Sequence, residues 1–179
     1  MTELNRPLGD LLLSDPDGDQ VAFAGFAGPL LVVQLVRYFG CLPCQEWLVS
    51  LDAAAAELAQ FGARPLAVGG SADFQARYLH EERGVTMPLL LDDAQQLRDA
   101  VGIGNLGFRL LDPRGFSSYG RALAHGYRPQ RVTHDTIRAP GVVILDRHLT
   151  VRWRFEGRRI GDYPPLSLVF EAVKQLAGE

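Results

Sequence analysis

Two cysteines, and no others, occur in the 179 residues, and they stand together as Cys41-Leu42-Pro43-Cys44. Thiols three positions apart can reach one another and close a small disulfide ring. The chemistry open to such a pair is attack by a thiolate on a disulfide or a peroxide. A free Cys ionises near pH 8.5, so its surroundings must lower that value for it to react readily at neutral pH. The flanking sequence offers one means. Leu30–Val36 reads as a buried strand, and a helix follows from about Leu42 to Phe61. Unpaired N–H groups at a helix start carry partial positive charge and favour an anion. Pro43 suits the first helical turn, where its missing N–H is no loss. Gly40 is read as letting the chain turn tightly out of the strand. Two other readings stand beside the redox one: a buried structural pair and half of a zinc site. No second Cys pair exists to complete four zinc ligands, and His80, His125, His134 and His148 are scattered along the chain.

The elements that must position this pair can be followed along the sequence. Leu11–Leu13 and Gln20–Phe23 flank the turn formers of Ser14–Asp19, and Asp17-Gly18 marks a hairpin between them. Leu30–Val36 is apolar except for Gln34, as a central strand covered on both faces requires. Gln34 is expected to be hydrogen-bonded structurally. In the helix after it, Trp47, Leu48, Leu51, Ala54, Ala55 and Leu58 form an apolar face. The run Ala53–Ala56 has the highest helix propensity, and Gly62 caps the end. Arg64–Val68 reads as the next strand. Ser71 is the expected cap of a helix to about Arg83, with Phe74, Tyr78 and Leu79 inward and Gly84 at its end. A short strand, Met87–Leu91, leads to a capping box in which Asp92 caps and Gln95 reaches back. Alternation of strand and helix makes the sheet largely parallel here. Gly141–Asp146 and Thr150–Phe155 form an antiparallel hairpin whose second strand is an edge. Leu166–Ala177 is a closing helix.

Residues 103–139 show little periodicity and carry six Arg against two Asp. The stretch reads as an insertion loop on the surface, with a short helix at Ser117–Ala124. The competing functional reading is a lid presenting Arg109, Arg121 or Arg128 to an anionic partner or thiolate. His125 and His134 read as surface histidines.

Composition bounds the answer. The chain is 47% apolar and 22% charged with a net charge of −3, as in a globular protein of one domain. That charge gives no electrostatic case for nucleic acid. The longest apolar run, Pro29–Val33, is far short of a membrane span. The first residues hold no apolar signal segment, so a cytoplasmic location is expected, where a Cys pair is more often catalytic or metal-binding than a structural disulfide.

The order strand, Cys-x-x-Cys helix, strand, helix, then a late hairpin and a closing helix resembles the thioredoxin fold. Cys41-Leu42-Pro43-Cys44 is similar to its active site, including Pro before the second Cys. Pro140, just ahead of the strand Gly141–Leu145, matches the cis-proline position of that fold. Leu8-Gly9-Asp10, Asp17-Gly18 and Leu30-Leu31-Val32-Val33 resemble the N-terminal hairpin of the peroxiredoxin-like branch, the alkyl hydroperoxide reductase/thiol-specific antioxidant family. Pro88–Asp92 and Gly141–Asp146 fit it too. The resemblance implies an α/β, thioredoxin-like fold: a central mixed sheet flanked by helices, an N-terminal β-hairpin and an insertion before the last strand pair. It implies a thiol–disulfide oxidoreductase or thiol peroxidase with a Cys41/Cys44 dithiol cycle. By peroxiredoxin spacing Cys44 takes the peroxidatic place. By the thioredoxin pattern Cys41 attacks, as the more exposed thiolate, and Cys44 resolves. Pro140 would shape the substrate-facing wall, and Arg37 or Arg138 would stabilise the thiolate. The implied partners are a peroxide or disulfide substrate and an external thiol reductant of the thioredoxin or glutathione type, with a homodimer allowed. No metal, flavin or nucleotide cofactor is implied. The alternative is a non-enzymatic binding module of the same fold with inert cysteines.

Overall fold

The structure, a computed structural model, describes residues 7–70, 72–132 and 137–179. Its strands are β1 (Leu12–Ser14), β2 (Gln20–Ala22), β3 (Leu30–Leu35), β4 (Ala63–Gly69), β5 (Leu89–Leu91), β6 (Gly141–Asp146) and β7 (Val151–Glu156). They form one sheet in the order β2-β1-β5-β4-β3-β6-β7. The β3–β4 and β4–β5 pairs are parallel, and the others are antiparallel, so the sheet is mixed. All six residues of β3 are buried. Their side chains alternate between the two sides, as the period of a strand dictates. Leu30 and Val32 join one apolar core, while Leu31, Val33 and Leu35 join the other. β7 alternates half-buried Val151, Trp153 and Phe155 with exposed Arg152, Arg154 and Glu156, and is an edge. The hairpin turn at the other edge is held by Asp15, whose carboxylate accepts the amides of Asp17 and Asp19.

The helices are α1 (Leu42–Ala53), α2 (Ala55–Ala59), α3 (Asp73–Arg83), α4 (Gln96–Ala100), α5 (Pro113–Ala124) and α6 (Leu166–Ala177). Four features depart from the sequence reading. The helix after the cysteines is interrupted at Ala54, inside the alanine run. There the Ala54 amide is shared by the Ser50 and Leu51 carbonyls. Beside the break, Asp52 accepts the amides of Thr86 and Met87. Tertiary bonds of this kind outweigh propensities worth well under about 1 kcal/mol per residue. On α3, Phe74 is 47% exposed, and Gln75, Ala76 and Leu79 take the buried face instead. Ser71, the expected cap, lies outside the described residues, as does His134. Asp92 does cap α4, through the amides of Gln96 and Leu97. Gln95 does not reach back; it sits in a left-handed conformation, and its side-chain oxygen accepts a bond from Arg98 Nε.

The fourth departure matters most for the site. Residues 103–139 hold more than the short helix expected at Ser117–Ala124. A 3₁₀ turn, Gly107–Leu111, leads into α5, which Asp112 caps through the Arg114 amide and Pro113 begins. α5 lies on α1, where Ala122 and Tyr127 pack with Leu42. Glu46 of α1 accepts Arg121 Nε at 3.1 Å and pairs with His125 Nδ1 at 2.6 Å. The surface histidine His125 is therefore half of a clasp across two helices. On the other side of α1, Trp47 donates to the Pro164 carbonyl and stacks on Tyr163.

Candidate active site

The chain leaves β3 at Leu35, and every residue from Val36 to Gln45 is buried. Cys41 occupies the N-cap position of α1, and Cys44 lies in its first turn with Pro43 before it. The strand thus delivers both sulfurs to a helix start, as their spacing implies. Gly40 serves this turn differently from expectation. Its backbone is not left-handed. Its amide donates to Gln75 Oε1 at 3.0 Å, and a Cβ there would lie 2.5 Å from Gln75 Nε2. What glycine supplies here is room for the Gln75 carboxamide and not a left-handed turn.

Both cysteines are free thiols, and both are 0% exposed. Cys41 is therefore no more exposed than Cys44, contrary to the sequence reading, because α5 covers the helix start. Arg37 Nη1 lies 3.7 Å from Cys41 Sγ, and the Tyr119 hydroxyl of α5 lies 3.8 Å from it. Arg37 is itself buried. Of the two arginines considered, it is the one at the sulfur, while Arg138 Nη1 bonds Asn105 Oδ1. Arg121 faces Glu46, and Arg109 and Arg128 are exposed. The stretch 103–139 offers the thiol a tyrosine rather than an arginine.

The electrostatics separate the two sulfurs. Burial pushes the Cys41 thiol up. The Cys44 thiol, the Arg37 charge, the Cys44 backbone amide and the Tyr119 hydroxyl outweigh burial and bring Cys41 down to about 6. Burial and the Cys41 sulfur push Cys44 well above the ordinary thiol value. Burial works against the charge of Arg37, but Cys41, Cys44 and Tyr119 hold it above its ordinary value. Burial and Cys41 raise Tyr119, and burial and Cys44 raise Tyr163, so both phenols remain protonated.

Behind the pair, Gln34 Nε2 donates to the Cys44 carbonyl and Gln45 Nε2 to the Phe39 carbonyl. Gln34 thus has the structural bond expected of it. Arg98, 1% exposed, donates to Gln95 Oε1, to the Val36 carbonyl at 2.7 Å and to the Ala139 carbonyl. It ties the end of β3 to the residue before Pro140. Burial pulls this guanidinium down to about 10, although Tyr163 and Cys44 favour its charge. Pro140 is buried at the head of β6, and its carbonyl accepts the Gly157 amide at 2.7 Å. No cis peptide bond occurs among the described residues, so the expected cis-proline is absent. Ala139 ahead of it is fixed through both polar groups, its amide to the Gly104 carbonyl and its own carbonyl to Arg98. Among the described residues, no group of three or more His, Cys, Asp or Glu is placed to hold a metal ion. No described helix is long and apolar enough to cross a membrane.

The sequence reading missed Tyr119, Tyr163, Gln75 and Arg98. Only Tyr119 carried a signal, as an aromatic at the start of the short helix read at Ser117–Ala124, and nothing local aims it at a cysteine.

A dithiol at the junction of a central strand and a helix, on a mixed sheet covered by helices, defines a thiol oxidoreductase of thioredoxin-like fold. The chain belongs to the AhpC/TSA family, whose profile matches residues 4–154. It is an enzyme of the peroxiredoxin type, acting through thiols. No curated protein sequence matches the chain. Among solved structures, peroxiredoxin Q of Xanthomonas campestris shares the fold with a TM-score of 0.67 at 18% identity, over 99% of this chain and 96% of its own. The bacterioferritin comigratory protein of Xanthomonas campestris, a protein with alkyl peroxide reduction activity, has a TM-score of 0.66 at 15% identity, over 98% and 96% of the two chains. Peroxidoxin BcpB of Mycobacterium tuberculosis has 0.63 at 13% identity, over 97% and 95%.

Proposed function

We propose that the protein reduces peroxides through a Cys41/Cys44 dithiol cycle in which Cys41 is the nucleophile and Cys44 resolves. The observation that carries this reading is that the Arg37 guanidinium and the Tyr119 hydroxyl lie 3.7 Å and 3.8 Å from Cys41 Sγ, which favours the anion there while burial pushes Cys44 up. At neutral pH one sulfur is an anion and its neighbour a thiol. The Cys41 thiolate attacks the terminal oxygen of a hydroperoxide and the O–O bond breaks. Cys41 becomes a sulfenic acid, and the departing alkoxide takes a proton from solvent. Cys44 then attacks that sulfur. Its proton leaves with the sulfenic oxygen as water, and a Cys41–Cys44 disulfide forms. An external thiol reductant, of the thioredoxin or glutathione type, returns the pair to two thiols.

Arg37 holds the attacking anion, and the amide of Cys44 adds the partial charge of the helix start. Pro140 and the Arg98 tie behind it fix the wall of the site. Complete burial of both sulfurs under α5 favours a small peroxide over a protein disulfide, since a larger partner requires α5 to move further. The alkyl peroxide reduction activity of the Xanthomonas campestris relative points to the same substrate class. The whole chain is read as one catalytic domain, with 103–139 as its cover, working in a reducing compartment such as the cytoplasm.

A mass-resolved thiol count tests the cycle. Reduced protein is exposed to a few equivalents of hydrogen peroxide or, separately, a small disulfide, and then alkylated. The expected result is loss of two hydrogens and no label on either Cys at low peroxide dose. Two labelled thiols after both treatments would sink the proposal, and closure only by the disulfide would replace peroxide reduction with disulfide exchange.

A further inference from the structure

We propose that Tyr119 is a catalytic residue, whose hydroxyl, delivered by α5 from 78 positions along the chain, donates a hydrogen bond to the reacting sulfur of Cys41. The proposal rests on Cys41 being the nucleophile and adds the group that keeps it so.

Three observations carry it. The first is distance: the hydroxyl is 3.8 Å from Cys41 Sγ, within reach for a bond to sulfur. The second is direction. Arg37 makes a side-chain hydrogen bond to the same Tyr119 hydroxyl. A guanidinium can only donate, so the oxygen of Tyr119 accepts from Arg37, and its single proton goes to the sulfur or to the Tyr38 hydroxyl, which bonds the same group. A thiolate likewise can only accept. The third is placement. Ser118 and Ala122 are buried, while Arg121 and His125 clasp Glu46. These contacts hold α5 on α1 with the phenol turned inward.

Burial and the Cys41 charge raise Tyr119 above the ordinary phenol value, so it remains a donor throughout the working range of the reduced enzyme. The charged and titratable groups around this sulfur are Arg37 and Tyr38 from the segment after β3, Cys44 from α1, Tyr119 from α5 and Tyr163 from the link before α6. Of these, Tyr119 alone comes from a helix that must shift for substrate to enter. Seating of α5 is thus coupled to ionisation of the nucleophile.

The test is the pH profile of Cys41 alkylation by iodoacetamide in the reduced full-length protein, read by mass spectrometry, for parent and Tyr119→Phe. The midpoint, about 6 in the parent, is expected to rise by about one pH unit when a hydrogen bond to a charged group is lost. At pH 5 the rate then falls about tenfold, while the plateau above pH 8 changes little. An unchanged midpoint overturns the proposal, even if the plateau rises, because a purely structural role alters access and not ionisation. Tyr119→3-fluorotyrosine keeps the ring and strengthens the donor, so it should move the midpoint down. This variant carries the test if the Phe variant folds poorly, and no downward shift in it overturns the proposal. A parent midpoint at the ordinary free-thiol value would overturn the Cys41 assignment itself, which separates the two failures.

Discussion

The start of α1 and the helix α5 build one site by opposite means. At the start of α1 the chemistry is local. A buried strand, a glycine, two cysteines three positions apart and a proline specify where the sulfurs sit. In α5 almost nothing is local. Its buried residues Gly115, Ser118 and Ala122 carry neither a charge nor a thiol. The one side chain that reaches the sulfur does so because Glu46, Leu42 and the Asp112 cap place the whole helix. The identity of a nucleophile can be written in ten residues, whereas its ionisation depends on groups gathered from the length of the chain.

Four measurements press on that contrast. Cys41→Ser should lower peroxide turnover by about a thousandfold or more. Cys44→Ser should still consume one peroxide but stop at the sulfenic acid, visible as an added oxygen by mass. Equal residual turnover in the two variants would erase the division of labour within α1.

Gly161→Ala strikes where the two regions meet. Gly161 has φ +72°, and a Cβ there would lie 2.7 Å from Pro43 Cβ and 2.8 Å from Ser118 Cβ. The wedge and the backbone strain should destabilise the protein by about 2–3 kcal/mol, read as a lower urea midpoint. A neutral result would mean that α1 and α5 part easily.

The third is a pH dependence of stability. Cys41 in the folded protein loses its proton near pH 6, whereas unfolded it does so at the higher, ordinary thiol value. Between these the unfolded chain holds the extra proton, so the reduced protein gains stability as pH rises and loses it as pH falls through about 6. Cys44, shifted upward, acts in the opposite sense and only above the ordinary thiol range. Urea titrations at pH 6 and 8.5 should show the slope in the parent and not in Cys41→Ser.

Smallest is Arg121→Ala. Arg121 is exposed, so its ion pair with Glu46 is worth under about 1 kcal/mol. Alkylation of Cys41 above pH 8 should quicken about two- to fivefold, while its pH midpoint moves much less than in Tyr119→Phe.

The same contrast explains what the sequence made legible. Leu30–Leu35, both hairpins, the closing helix and the dithiol could be read because each follows from short-range periodicity or turn chemistry. The break at Ala54 could not, since it depends on contacts that Asp52 makes with Thr86 and Met87. The inward placement of Phe74 failed because Gln75 is drawn in to meet Gly40. Arg98 looked like an ordinary charged helix residue, and only the fold reveals carbonyls of Val36 and Ala139 converging on it. Tyr119 lies on a clearly amphipathic helix, but glycines surround it and nothing in its own sequence aims the phenol at a cysteine; the clasp to Glu46 and the small buried face define the helix's seat.

Gln75 gives the site a property beyond geometry. Its oxygen takes the Gly40 amide, and its nitrogen donates to the Arg131 carbonyl. One side chain thus spans the loop that bears Cys41 and the far side of the stretch that covers it. Both bonds rest on one side chain, so a displacement of Gln75 breaks them together and the two segments should fluctuate as one cooperative unit. Deuterium would then enter the Gly40 amide at the rate at which that unit opens, and this single backbone position would count how often the thiols meet solvent.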